Sequence, residues 1–147
     1  MSINDILDQI LGGMTKEEAF YALLAAAMLI DGEADEREEQ ELAALAQRTR
    51  TLSALKPGDL QKLKEKIDPR LQKGSIDSLI ADACASLRSE SPAVGLAIFG
   101  HCCDIVLADR IVRNEEKIYL KTLIEKLSID QKEAESMLHA IRAKNEH

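Results

Sequence analysis

The stretch Thr15–Gly32, TKEEAFYALLAAAMLIDG, decides the fold. Thr15 and Glu18 have the spacing of a capping box, in which each side chain satisfies the other residue's free backbone amide at a helix start. The box opens Phe20–Ile30, 11 uninterrupted apolar residues, and Asp31-Gly32 is a common turn dipeptide that ends them. A helix that is apolar all round belongs in the middle of a bundle. A second apolar run, Ala93–Ala108, contains His101 and Asp104. Neither run reaches the roughly 18–20 apolar residues a membrane span needs, so both read as buried central helices of one soluble bundle.

Working outward, nearly every segment repeats at helical period. Ile3, Ile6, Leu7, Ile10 and Leu11 form a stripe stopped by Gly12-Gly13. Asp35 and Glu38 make a second box before Leu42, Leu45 and Ala46. The pattern breaks from Leu52 to Pro57. Leu60, Leu63 and Ile67 then carry a short helix that Pro69 should end. Ser75 precedes the stripe Ile76, Leu79, Ile80, Ala83 and Leu87. Ser91-Pro92 is an N-cap followed by proline at the first helical position, opening a helix to about Ala108. Asn114 is expected to cap the next helix, and Asp130 with Glu133 boxes the last. The result is an all-α chain of about eight helices without a convincing strand, a single compact domain over residues 1–147.

Composition agrees. Of 147 residues, 46% are hydrophobic but only 3% aromatic, with no Trp, so the core must come from Ala, Leu, Ile and Met. Those residues suit helices better than strands. A net charge of −7 argues against nucleic acid, whose recognition needs a basic surface. Three unpatterned cysteines point to reduced thiols and a cytoplasmic setting. The first residues, Met1 to Asp8, lack the basic start of a signal peptide.

A weak internal repeat singles out four acids. Ala27–Glu38 aligns with Ile105–Glu116 at an offset of 78 residues, pairing Asp31 with Asp109 and Glu38 with Glu116. Each copy is an apolar helix, an Asp, and then a Glu in the first turn of an amphipathic helix, a degenerate two-fold duplication. An Asp after a helix C-terminus is repelled by the negative end of the helix dipole. A divalent cation would compensate, and carboxylates with free helix-end carbonyls are hard ligands suited to Ca²⁺ or Mg²⁺. Asp31, Glu38, Asp109 and Glu116 are therefore the candidate metal ligands, with Glu33 and Asp35 as auxiliaries. The alternative is structural: Glu38 serves Asp35 as a box partner, and the seven acids from Asp31 to Glu41 form a solvated face. In the second copy, Arg110 or Arg113 provides the counter-ion. An EF-hand is excluded, because its glycine would have to stand sixth instead of second and Leu42 occupies the place of its final Glu.

The phrase Leu29–Glu38 behind an Ala-rich helix resembles the first signature of the TerB-like tellurite-resistance family. Ala108-Asp109, Glu116 and Leu127–Asp130 echo the second. The resemblance covers roughly Met14 to Ile141. It implies two related helical halves, acids at their junction proposed to bind metal, and an association with tellurite resistance and stress responses. Asp31, Gly32 and Glu38 match the first signature, Asp109 and Glu116 the second, and Arg110 stands where a second Gly is expected.

Other features read as structural. His101-Cys102-Cys103-Asp104 cannot converge on one ion, since adjacent helical residues point about 100° apart, so Cys84, Cys102 and Cys103 are expected in the core. Phe20, Tyr21, Phe99 and Tyr119 are expected packing groups. Lys56, Lys62, Lys64, Lys66, Arg70 and Lys73 alternate with apolar residues as an exposed helix face; its alternative is contact with an acidic partner or, peripherally, an anionic membrane surface. No phosphate loop or nucleotide fingerprint occurs. The expectation is a non-enzymatic helical module that binds a divalent cation and a protein partner. A metal-free interaction scaffold is the alternative.

Overall fold

The structure, a computed structural model, describes residues 3, 14–30, 36–72, 75–108 and 112–146; at residues 36–39, 41 and 45 it describes the backbone alone. Eight α-helices and one short 3₁₀ turn make up the regular structure of these residues, with no strand among them. They are α1 (Lys16–Leu29), α2 (Glu36–Arg48), α3 (Arg50–Ser53), α4 (Pro57–Ile67), the 3₁₀ turn (Asp68–Leu71), α5 (Ile76–Leu87), α6 (Pro92–Val106), α7 (Asn114–Lys126) and α8 (Gln131–Glu146). Of the first apolar stripe, only Ile3 is among the described residues, helical and exposed. The Asp31-Gly32 turn and the Asp35 half of the second box also lie outside them.

The expected centre is the centre. Every residue of α1 from Glu18 to Ala27 is buried, and the helix lies against α5 and α6 with α2, α3 and α4 around it. In α6, Gly95, Ile98, Phe99, Cys102, Cys103 and Val106 are buried. Burying one Leu or Phe side chain contributes about 1.5–3 kcal/mol. The amphipathic outer helices give fewer residues, for example Leu63 and Ile67 from α4 and Ala134 and Ile141 from α8. No helix is long and apolar enough to cross a membrane among the described residues.

Helix starts follow the sequence signals with local differences. Thr15 and Glu18 form the full box: Glu18 N–H donates to Thr15 Oγ1 and Thr15 N–H to Glu18 Oε1, each at 3.1 Å. Pro57 and Pro92 stand at first helical positions, where the missing N–H costs nothing. Ser75 and Ser91 hold N-cap positions, but neither hydroxyl makes a cap bond. Asn114 is the first residue of α7, and Arg113 occupies the N-cap position. Asp130 Oδ2 accepts from Glu133 N–H at 3.2 Å, one arm of the expected box. Pro69 sits inside the 3₁₀ turn that ends α4. Helices α2 and α7, each 13 residues long, begin 78 residues apart, so Glu38 and Glu116 are both third in their helices.

Helix α8 runs parallel to α6. Gly100 lies under Met137, where an added Cβ would come within 3.2 Å of the Met137 sulfur. One turn on, Lys144 Nζ pairs with Asp104 Oδ1, and beyond it Asn145 Nδ2 donates to the Leu107 carbonyl at 2.9 Å.

Candidate functional site

Of the four candidate ligands, Glu116 is the one whose side chain the structure describes. Asp31 and Asp109 lie outside the described residues, and so do Glu33, Asp35 and Arg110. Glu38 is described by its helical backbone alone. Glu116 is buried at 7% exposure, in the first turn of α7, and its Oε1 accepts from Arg113 N–H at 3.0 Å. Acids are favoured in a first turn because the dipole is positive there. Among the described residues, no cationic side chain forms an ion pair with Glu116.

Glu18 offers the internal contrast. It too is third in its helix, buried at 8%, and bonded to the cap residue's amide. Its Oε2, however, lies 2.6 Å from Lys66 Nζ, brought in by the last turn of α4. Burial would raise its carboxyl pKa, but the Lys66 bond and charge and the Thr15 amide and hydroxyl together hold it below the ordinary value of 4.5.

The helix ends also differ. The last turn of α1 contains no basic residue, and no side chain among the described residues donates to its last carbonyls. The last turn of α6 is also without a basic residue, but α8 supplies one: Lys144 meets Asp104, and Asn145 takes the Leu107 carbonyl. That carbonyl was among the helix-end oxygens expected to be free for an ion.

The donor set suits a hard cation in chemistry: a buried carboxylate with one oxygen committed to a single backbone amide can still turn charge toward an ion. Among the described residues, no group of three or more His, Cys, Asp or Glu side chains is placed to hold a metal. The described residues alone therefore do not form a metal centre.

The soft-ligand candidates fall in the core. Cys84, Cys102 and Cys103 are free thiols with no exposed surface. Burial pushes Cys84 up to about 11 and Cys102 up to about 12, and raises Cys103 as well. A thiol held protonated is neither nucleophile nor metal ligand. Tyr119 O–H donates to the Leu23 carbonyl at 2.6 Å and lies 3.4 Å from Cys102 Sγ, tying α7 to α1. Sequence reasoning treated Tyr119 as simple packing, and only the fold reveals this bond. Tyr21, on α1, donates to Asp68 Oδ1 at 2.6 Å. In the basic segment, Lys56 and Lys62 are exposed, while Lys66 and Arg70 are committed to Glu18 and Asp82; Lys73 lies outside the described residues.

No match emerged among curated proteins or among solved structures. The family model described as tellurite resistance protein TerB matches residues 17–139. That span runs from the first turn of α1 into α8 and takes in both helix–acid–helix units. The chain belongs to the TerB family of tellurite resistance proteins.

Proposed function

We propose that this TerB-family helical module is a cytoplasmic, non-enzymatic cation sensor. It binds one divalent ion, Ca²⁺ or Mg²⁺, through Asp31, Glu38, Asp109 and Glu116. The ion links the acid following α1 to the acid following α6, biases how the two parts pack, and so sets which protein partner the surface accepts. A part in tellurite resistance or stress response would run through that partner. The observation that carries this reading is the Glu116 carboxylate, buried and capped but with no cationic partner among the described residues. Glu18, its counterpart, is neutralised by Lys66. Buried charge costs several kcal/mol unless compensated, and a divalent ion compensates several acids at once.

Thermal unfolding in EDTA and then with Ca²⁺, Mg²⁺, Mn²⁺ or Zn²⁺ tests the reading. Linkage gives about 2.7 kcal/mol of stabilisation at a hundredfold excess over Kd, and Asp31→Asn and Asp109→Asn should each abolish it. A melting temperature that no ion moves would overturn the proposal. The second reading is a metal-free interaction scaffold, favoured by the Arg113 amide that already serves Glu116.

A further inference from the structure

Helix α8 is held to the bundle chiefly through α6. One stripe of α8 makes the seam, because residues three and four apart share a helix face. Ala134 and Ile141 are buried in it, Met137 and Leu138 are half-buried, and beyond them Lys144 and Asn145 reach Asp104 and the Leu107 carbonyl. The closest approach in the seam is at Gly100. A Cβ added there would stand 3.2 Å from both the sulfur and the terminal methyl of Met137. The thioether therefore rests on bare backbone, where a larger residue would hold it off. Because Met137 is only half-buried, small solutes reach it from the rim of the seam. Oxidation is the modification to which such a group is open, since it turns an apolar thioether into a polar sulfoxide.

We propose that Met137 is an oxidation-sensitive latch for α8. The oxidant is a hydroperoxide, hydrogen peroxide in the simplest case. The sulfur lone pair attacks one peroxide oxygen, the O–O bond breaks, an S–O bond forms, and the second oxygen leaves as water after proton transfer. The thioether is oxidised by two electrons and the peroxide reduced by two. The sulfoxide then has two places to go. Left over Gly100, its oxygen is buried among apolar groups. The amides of α6 are engaged within the helix there, and Lys144 and Asn145 are committed elsewhere. A buried acceptor without a partner destabilises the docked state. Turned out to water, the side chain leaves Gly100 uncovered, and the seam loses its close contacts. Both outcomes loosen α8, which has no other helix of comparable contact to hold it. The apolar stripe from Ala134 to Ile141 and the Leu107 carbonyl are then uncovered, and reduction of the sulfoxide closes the seam again. The latch does not depend on the cation reading.

The test treats the full chain with hydrogen peroxide in EDTA, as wild type, Met137→Leu and Met28→Leu. Leucine keeps the apolar bulk and cannot take up the oxygen. Met28, half-buried on α1, is the control. Peptide mass mapping locates the added oxygen, and hydrogen exchange compares α8 with α1. Oxidised wild type is expected to lose roughly tenfold in the amide protection of α8, more than in α1. Its melting midpoint should fall by roughly 3–5 °C. Methionine sulfoxide reductases should restore both. Met28→Leu should respond as wild type does, and Met137→Leu should keep its α8 protection through the same treatment. An equal loss in Met137→Leu overturns the latch, and so does a sulfoxide at Met137 that leaves α8 as protected as before. Met137 left unmodified while Met28 takes up oxygen shows a seam closed to the oxidant and overturns it as well.

Discussion

Glu18 and Glu116 occupy the same place in two helices and meet different fates. Each is third in its helix, nearly buried, and bonded to the amide of the residue before the helix. Glu18 is closed: the Thr15 amide takes one carboxylate oxygen and Lys66 pairs with the other. Glu116 is open, with a single amide and no ion pair among the described residues. The C-terminal ends of the two central helices show the reverse. The end of α6 is closed by Lys144 and Asn145, and the end of α1 receives no such help among the described residues. A fold can therefore satisfy one copy of a local motif internally and leave the other available, although the residue types are the same.

The contrast can be broken at its firmest point. Glu18→Gln should destabilise by about 1–2 kcal/mol in chemical denaturation, since it removes the ion pair at a nearly buried carboxylate and weakens the box while keeping the side chain's shape. The same charge removal at Glu116 should be neutral or stabilising in EDTA, because Gln still accepts from the Arg113 amide, no ion pair is lost and an uncompensated buried charge is removed. Equal losses at the two sites would erase the distinction. Acid titration gives the same comparison without changing shape. The folded pKa of Glu18 is depressed, so its contribution is complete above the ordinary value of 4.5. It is lost as pH falls through the lower folded value, and Glu18→Gln should flatten that part of the stability curve.

A smaller effect tests whether α7 is bound to α1 as tightly as the geometry shows. Tyr119→Phe removes the bond to the Leu23 carbonyl and should cost about 1–1.5 kcal/mol, read as a lower denaturant midpoint with unchanged slope. The smallest change should be a gain. Ser128 has φ 54°, and it ends α7 with Ile129 N–H on the Ile124 carbonyl and Ser128 N–H on the Glu125 carbonyl. Glycine takes that left-handed conformation without the Cβ penalty. Ser128→Gly should therefore raise stability by about 0.5 kcal/mol, with no effect on any ion-dependent shift.

The central helices were legible because their signals are local: a box at Thr15, a proline at position 92, and apolar runs too long to expose and too short to span. The burial of Cys102 and Cys103 followed from the second of these runs, and that of Cys84 from the stripe of α5. What could not be read was who neutralises whom. Lys66 reaches Glu18 across 48 residues and Lys144 reaches Asp104 across 40, and nothing in either lysine's own neighbourhood marks it. Capping was misplaced at Asn114 for a related reason. Glu116 reaches back to a backbone amide, and every residue but proline carries one, so Arg113 serves where a side-chain acceptor was expected. The Lys144–Asp104 pair and the Asn145 bond to the Leu107 carbonyl depend on the parallel docking of α8, which no local pattern signals.

The three sealed thiols give the molecule a clock. Cys84 and Cys102 lie on neighbouring elements of the core and Cys103 beside them, all without exposed surface and all held protonated. A thiol reagent can reach them only when the centre of the bundle opens, so their labelling rate counts opening events instead of surface chemistry. In the native chain, a change in that rate on adding an ion or a partner would measure directly how far binding at the rim steadies the centre.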